Sequence, residues 1–125
     1  MIYLWLYLNP GLDALPQLID AFSIAQNNVY AGIDPNDNLS ASAICYFPAQ
    51  GDFALTCEIR LANWTHDAAH TALKALSKFG LKIALSDDSN NSPFAYLLFE
   101  TGDCRAITVV SADATDLVTM YEVAG

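Results

Sequence analysis

Basic residues are scarce in this sequence, and no lysine or arginine occurs before Arg60. The chain has five Lys and Arg residues against 14 Asp and Glu residues, which gives a formal net charge of −9. Nucleic-acid-binding proteins line their binding track with lysine and arginine. We therefore expect no nucleic acid among the partners, and we expect a negative field over the amino-terminal half that attracts basic surfaces.

Long hydrophobic runs are also missing. The longest unbroken apolar run is Met1 to Leu8, and Asn9-Pro10 ends it far short of the ~20 residues that span a bilayer. A secretory leader needs basic residues before its apolar stretch, and this chain has none there. The sequence predicts a cytoplasmic protein that does not contact membranes.

The usual signatures of catalysis and cofactor binding are absent as well. Cys45, Cys57 and Cys104 have no Cys-x-x-Cys spacing, so neither a disulfide framework nor a thiolate metal site is indicated. Each lies in an apolar, strand-like run, and we expect three small buried hydrophobic side chains with unreactive thiols. Because no nucleophile motif or glycine-rich phosphate loop is present either, we expect no catalytic residues and no cofactor.

The composition that remains is that of a folded core. Of the 125 residues, 54% are hydrophobic and 15% are charged, and this length is sufficient to bury one hydrophobic core. No repeat, low-complexity tract or linker divides the chain. We expect residues 1–125 to form a single domain.

Alternating and helical patterns predict the elements. Ile2 to Leu8 alternates between two apolar faces and predicts a central strand. Asp13 is a candidate cap for a first helix that ends near Asn27-Asn28. Thr65 is a candidate cap for a second helix, from His66 to Phe79, which Gly80 ends. Its apolar residues predict a core-facing side made of Ala69, Ala72, Leu73, Leu76 and Phe79.

The remaining apolar runs predict strands. They are Val29 to Ile33, Ala41 to Phe47, Phe53 to Leu61, Leu81 to Ser86, Phe94 to Glu100, Arg105 to Ser111 and Leu117 to Val123. Pro48 to Asp52 has the length and the glycine of a hairpin loop. This order of elements predicts an α+β fold in which two helices pack on one face of a largely antiparallel sheet. A ferredoxin-like core with added hairpins is one such arrangement.

His66 and His70 carry the sharpest chemical signal. Two imidazoles at positions i and i+4 of a helix have the spacing with which zinc hydrolases hold their metal ion. Those enzymes have Glu where this chain has Asp67, and they need a third ligand that the sequence does not identify. Continuing the same face gives Lys74 and Lys78, which together with the histidines form an ordinary solvated stripe. A metal-dependent hydrolase using His66 and His70 is therefore the alternative function.

Tyr3, Trp5 and Tyr7 share one face of the first predicted strand. Aromatic side chains on a sheet can stack single-stranded nucleic acid, but such sites also need the basic residues that this half of the chain lacks. We expect these three aromatic side chains to pack beneath a helix instead.

The acidic surface gives the functional hypothesis. A net negative domain without catalytic machinery is suited to docking on a basic protein partner, and immunity proteins that neutralise bacterial toxins such as nucleases form one class of this kind. The acids in predicted loops and at strand ends are the candidate partner contacts: Asp34, Asp37, Asp52, Asp87 and Asp88. The low charge content also allows a homodimer or a subunit of a larger assembly.

Overall fold

The computed structural model describes residues 1–32, 41–112 and 117–122. These ranges contain nine strands and two α-helices. In chain order they are β1 (Ile2–Asn9), α1 (Leu15–Phe22), β2 (Val29–Ala31), β3 (Ala43–Pro48), β4 (Gln50–Gly51), β5 (Leu55–Leu61), α2 (His66–Leu76), β6 (Lys82–Ser86), β7 (Ala95–Glu100), β8 (Asp103–Ala112) and β9 (Leu117–Glu122). The strands form one sheet in the order β2-β3-β5-β1-β6-β7-β8-β9-β4.

The sheet is largely antiparallel, which confirms the predicted α+β class. Two pairs, β2 with β3 and β4 with β9, are parallel. β1 lies between β5 and β6 and is therefore an interior strand, as its two apolar faces predict. No helix in the described ranges is long and apolar enough to cross a membrane.

Both helices pack on the same face of the sheet. Leu4, Leu6 and Leu8 of β1 belong to a buried cluster with side chains from both helices, among them Phe22 of α1 and Leu73 of α2. These positions alternate along the strand, so the alternation read from the sequence identifies the face that the helices cover.

The two helices differ in how closely their ends agree with the prediction. Thr65 caps α2 as predicted, because its Oγ1 accepts a hydrogen bond of 3.1 Å from the backbone N–H of Ala68. The prediction for the first helix was wrong at both ends: Asp13 lies in a preceding 3₁₀ turn and makes no side-chain cap, and Ser23 ends the helix in a left-handed conformation with φ of 54°.

Phe79 was predicted to face the core and is instead 74% exposed. After Leu76 the helix tightens into a 3₁₀ turn, Ser77–Phe79, which changes the angular step between successive side chains. Ser77 becomes the buried residue, and its hydroxyl donates to the carbonyl of Lys74 and accepts from the N–H of Gly102. Gly80 then ends the turn at a positive φ of 89°, as predicted.

β3 and β5 form the predicted antiparallel hairpin, but the connection between them is not a simple loop. It contains β4, and β4 pairs with β9, so the sheet curls until this connection contacts the last strand described. Gly51 allows the close approach, because a Cβ at this position would overlap the carbonyl oxygen of Val118. The Asp52 N–H donates to the same carbonyl at 2.9 Å.

The curl creates a second buried cluster on the face opposite the helices. Phe53 is fully buried there, and the centre of its ring lies 5.8 Å from that of Tyr7. The expectation that Tyr3, Trp5 and Tyr7 pack beneath a helix was therefore wrong. Tyr7 is covered by the β3–β5 connection, while Tyr3 and Trp5 are exposed because Phe53 covers only the Tyr7 end of the strand.

Candidate functional site

A cleft opens beside the first half of β1. On one side β1 pairs with β5 along its length from Ile2, but on the other side its pairing with β6 begins only at Leu6. The reason is that β6 ends at Ser86, where the chain leaves the sheet for the loop before β7. Every second residue of β1 ahead of Leu6 therefore directs its backbone groups toward the cleft.

We call this feature the Trp5 cleft, and its volume is about 440 Å³. Its apolar walls are Leu4, Leu85 and Leu97. Its polar and aromatic lining consists of Trp5, His66, His70, Ser86, Asp87, Asp88 and Ser89. The structure thus brings together three groups that the sequence presents separately: the aromatic strand, the histidine pair and the Asp87-Asp88 pair.

Trp5 forms a fixed wall of the cleft. Its ring meets that of Tyr7 edge to face, with centroids 6.4 Å apart and planes at 86°. The indole also neighbours the hydroxyl of Tyr96, on whose pKa it has a lowering effect. Because two neighbours flank the ring while 38% of the residue stays exposed, the indole presents a preorganised aromatic surface.

The Tyr96 hydroxyl has a raised pKa. Burial is the main cause, followed by the neighbouring Tyr7 and, more weakly, by the negative charge of Asp88, whereas Trp5 acts in the opposite direction. Tyr96 therefore stays protonated at neutral pH and presents a neutral hydroxyl beside Trp5.

Asp87 and Asp88 follow β6 directly, and both line the Trp5 cleft. The backbone N–H of Asp87 donates to the carbonyl of Ala95 at 2.9 Å, so the chain begins its return to β7 here. Two adjacent acidic residues therefore lie at the border of the cleft.

Serine side chains hold both carboxylates in place. The Oδ1 atom of Asp87 accepts hydrogen bonds from the N–H and the hydroxyl of Ser89, at 3.1 and 2.6 Å. Asp88 accepts a longer hydrogen bond of 3.4 Å from the Ser86 hydroxyl. Asp88 is exposed and Asp87 is half-buried, so both remain open to a ligand in the cleft.

The two histidines line the helix side of the cleft. His66 is exposed in the first turn of α2, and His70 is half-buried with its ring edge to face against Phe99, 5.9 Å between centroids. Among the described residues, no group of three or more His, Cys, Asp and Glu side chains is placed to hold a metal ion. The hydrolase alternative therefore has no third ligand within these ranges.

Two further side chains extend the site across the face opposite the helices. Tyr3 is 61% exposed, and Glu58 of β5 lies directly opposite Trp5 in the β1–β5 register. Arg60 lies opposite Tyr3, and its Nε donates to the carbonyl of Ala41 at 3.0 Å. Glu58 is not among the partner contacts predicted from the sequence, because only the strand register shows that it neighbours Trp5.

The other predicted partner contacts lie elsewhere. Asp34 and Asp37 fall outside the described residues. Asp52 lies toward the opposite end of β1, where the Asn9 side-chain amide donates to its carbonyl at 2.6 Å. Its Oδ2 accepts a hydrogen bond of 2.7 Å from the N–H of Met120, so Asp52 already has a structural role in tying the β3–β5 connection to β9.

Ion pairs occupy two of the bases away from the cleft. Arg105 contacts Glu122 at 2.8 Å and Glu100 at 3.5 Å, and Lys82 lies 3.8 Å from Glu100. The hydrogen bond from Arg105 holds the pKa of Glu122 below its usual value. These contacts neutralise acids at the other end of β7 and do not offset Asp87 and Asp88.

The cysteines only partly follow the prediction. Cys45 and Cys57 are buried, and burial raises the pKa of Cys57 to about 12. Cys104 is exposed, which corrects the expectation of three buried thiols. Its pKa is nonetheless raised, mainly by local desolvation and then by Asp87, against an opposing effect of Lys74.

We expect thiol labelling to separate these classes. Iodoacetamide at pH 8 should modify Cys104 in the native protein, more slowly than free cysteine because its thiolate fraction is reduced. Mass spectrometry should find one modification per native chain, and all three cysteines modified after unfolding in denaturant. The Cys104→Ser variant should remove the native label; modification of Cys57 without denaturant would contradict its burial.

Comparisons with protein-family models, with curated proteins and with solved structures found no match for this chain.

Proposed function

We propose that this protein is a non-enzymatic acidic binding protein that docks on a basic protein partner. The observation that carries the proposal is the surface formed by Tyr3, Trp5, Glu58 and Asp88, where exposed aromatic side chains lie beside carboxylates. We call it the docking surface. Tyrosine and tryptophan are the residues most enriched at the energetic centres of protein interfaces, and carboxylates beside them select a basic partner.

The charge of the whole chain supports this proposal. The chain has a net charge of −9. This charge attracts a basic surface over a long range and so speeds the encounter, and it repels polyphosphates. Exposed aromatic side chains on a sheet also occur where proteins stack nucleic-acid bases. Here, however, Glu58 and Asp88 are negatively charged and repel the phosphate backbone of a nucleic acid. We therefore propose a protein partner and no nucleic-acid ligand.

The partner class we propose is a bacterial toxin such as a nuclease, which this chain neutralises as an immunity protein. A nuclease binds nucleic acid through a basic cleft, and an acidic domain competes for that cleft directly. We propose the cytoplasm as its location. The free state of Cys45, Cys57 and Cys104 supports a reducing compartment.

The test begins with capture of a basic partner from a lysate of the native host, followed by binding kinetics on the purified pair. Asp87→Lys and Asp88→Lys should each slow association on the order of tenfold and flatten its dependence on salt, because steering acts on the association rate. Asp20 is an exposed acid on α1 that does not line the cleft, so Asp20→Lys is the matched control.

Three results would count against the proposal. The first is that capture recovers no basic partner, and the second is that Asp20→Lys slows association as much as Asp88→Lys does. Elemental analysis that finds stoichiometric zinc, lost on changing His70 to Ala, would favour the hydrolase alternative. In Asp52→Lys, lowered stability should accompany any loss of binding, because this carboxylate also accepts from Met120.

A further inference from the structure

We infer that the Trp5 cleft receives an arginine side chain of the partner. This inference rests on the proposed function, because it names the group through which the basic partner is recognised. The cleft combines the three environments that an arginine side chain requires: apolar walls, a flat aromatic surface and carboxylates.

The apolar walls suit the aliphatic part of the side chain. Leu4, Leu85 and Leu97 line the cleft, and an arginine buries its methylene groups along such surfaces while its charged end stays near polar groups. The volume of about 440 Å³ lies within the ~300–1,000 Å³ typical of ligand pockets. The cleft is therefore large enough for one long side chain together with part of its backbone.

The indole of Trp5 suits the guanidinium. A guanidinium is planar and stacks on aromatic faces, and tryptophan is the strongest aromatic partner for a cation. The ring already has its orientation, through its edge-to-face contact with Tyr7. Little conformational freedom is lost on binding, which favours affinity.

The carboxylates provide charge and hydrogen-bond acceptors. Asp87 and Asp88 both line the cleft, and Glu58 lies across from Trp5 on the neighbouring strand. Arginine offers five N–H donors in a fixed fork, which can bond one carboxylate with two hydrogen bonds and still reach a second. Lysine offers a compact, strongly hydrated charge that stacks less well, so we expect arginine to be preferred.

The experiment uses a defined probe, the peptide acetyl-Gly-Arg-Gly-amide, with the fluorescence of Trp5 as the signal. Trp64→Phe removes the other tryptophan; Trp64 is half-buried against Phe22, 4.9 Å between ring centroids, so phenylalanine preserves an aromatic contact. At low ionic strength we expect saturable binding with a dissociation constant of ~1 mM. The uncharged citrulline peptide should bind at least ~10-fold more weakly, and the lysine peptide should lie between them.

The variants test which groups produce the preference. Asp88→Asn should reduce the difference between the arginine and citrulline peptides to about twofold or less, since the neutral amide cannot pair with the cation. Tyr96→Phe removes the hydroxyl that neighbours the indole and should weaken arginine binding, because Trp5 loses a polar neighbour. Asp20→Asn, with the same chemical change on α1, should leave both affinities unchanged. Thermal unfolding of each variant verifies that it is folded.

A linear response to the arginine peptide, equal binding of the citrulline peptide, or equal effects of Asp20→Asn and Asp88→Asn would each overturn the inference. The arginine inference and the proposed function can each be overturned without the other. If a captured basic partner binds with strong salt dependence but is not displaced by the arginine peptide, the arginine assignment falls and the acidic binder stands. If the peptide binds as expected but no basic partner is captured, the proposed function falls and the arginine cleft stands.

Discussion

Replacing Phe53 with alanine should lower the free energy of unfolding by about 3–5 kcal/mol, the usual cost of removing a buried phenylalanine side chain. Phe53 is fully buried, and its ring packs against Tyr7 and beneath the Lys82 ammonium group, which lies 5.8 Å from the ring centre. A loss of this size is a large fraction of the ~5–15 kcal/mol that stabilises a typical domain. Urea unfolding followed by tryptophan fluorescence measures it.

Phe79→Ala is the matched control for this prediction. The same atoms are removed, but Phe79 is 74% exposed, and exposed substitutions usually change stability by no more than ~0.5 kcal/mol. A loss below about 1 kcal/mol for Phe53→Ala, or similar losses for both variants, would show that the cluster opposite the helices contributes little to stability.

The same substitution also tests how the β3–β5 connection is held. Phe53 anchors a segment whose hydrogen bonds join Asp52 to Met120 and Ala54 to the Asn9 side chain. Hydrogen exchange at the Met120 and Ala54 amides should accelerate in Phe53→Ala by more than at the β1–β5 amides, because local opening becomes easier than global unfolding.

Short-range patterns predicted most of the elements in this fold. Alternation located β1 and its interior position, and the Thr65 and Gly80 signals located the ends of the second helical segment. These features depend on neighbours within a few residues. The predictions were wrong where the local sequence allows more than one backbone conformation. Ser23 ends α1 early in a left-handed conformation, and a 3₁₀ turn exposes Phe79.

Short-range sequence patterns do not predict the curl of the sheet. It depends on the pairing of Gln50 with Leu117 and of Gly51 with Val118, positions far apart in the chain whose sequences carry no pairing signal. This curl decides that Tyr7 is covered while Tyr3 and Trp5 are exposed. Strand alternation placed the three on one face, but only the tertiary structure shows which part of that face is open.

The candidate site shows the same division. The sequence identified His66, His70, Asp87 and Asp88 as separate features, and the structure places all four in one cleft. What joins them is the early end of β6 at Ser86, which leaves part of β1 without a neighbour on that side in the described ranges. The importance of Trp5 follows from this juxtaposition.

Trp5→Ala should weaken binding to the basic partner by about 30-fold or more, the size of effect found where a buried aromatic anchor is removed from the centre of an interface. The substitution removes the aromatic surface between the apolar walls and the carboxylates. The loss should appear mainly as faster dissociation, whereas charge reversal of Asp88 should act mainly on association. Kinetics on the immobilised partner separate the two rates.

Two matched variants make this result specific. Trp5→Phe keeps an aromatic face but makes it smaller and removes the indole that neighbours Tyr96, so its affinity should lie between those of the parent and Trp5→Ala. Tyr121→Ala removes an aromatic side chain of similar exposure, 55%, from β9 outside the docking surface, and its affinity should be unchanged. Equal losses for Trp5→Ala and Tyr121→Ala, with folding intact, would place the interface elsewhere. Because association and dissociation respond to different side chains in this arrangement, the double variant of Trp5→Ala with Asp88→Lys should combine a slow association with a fast dissociation.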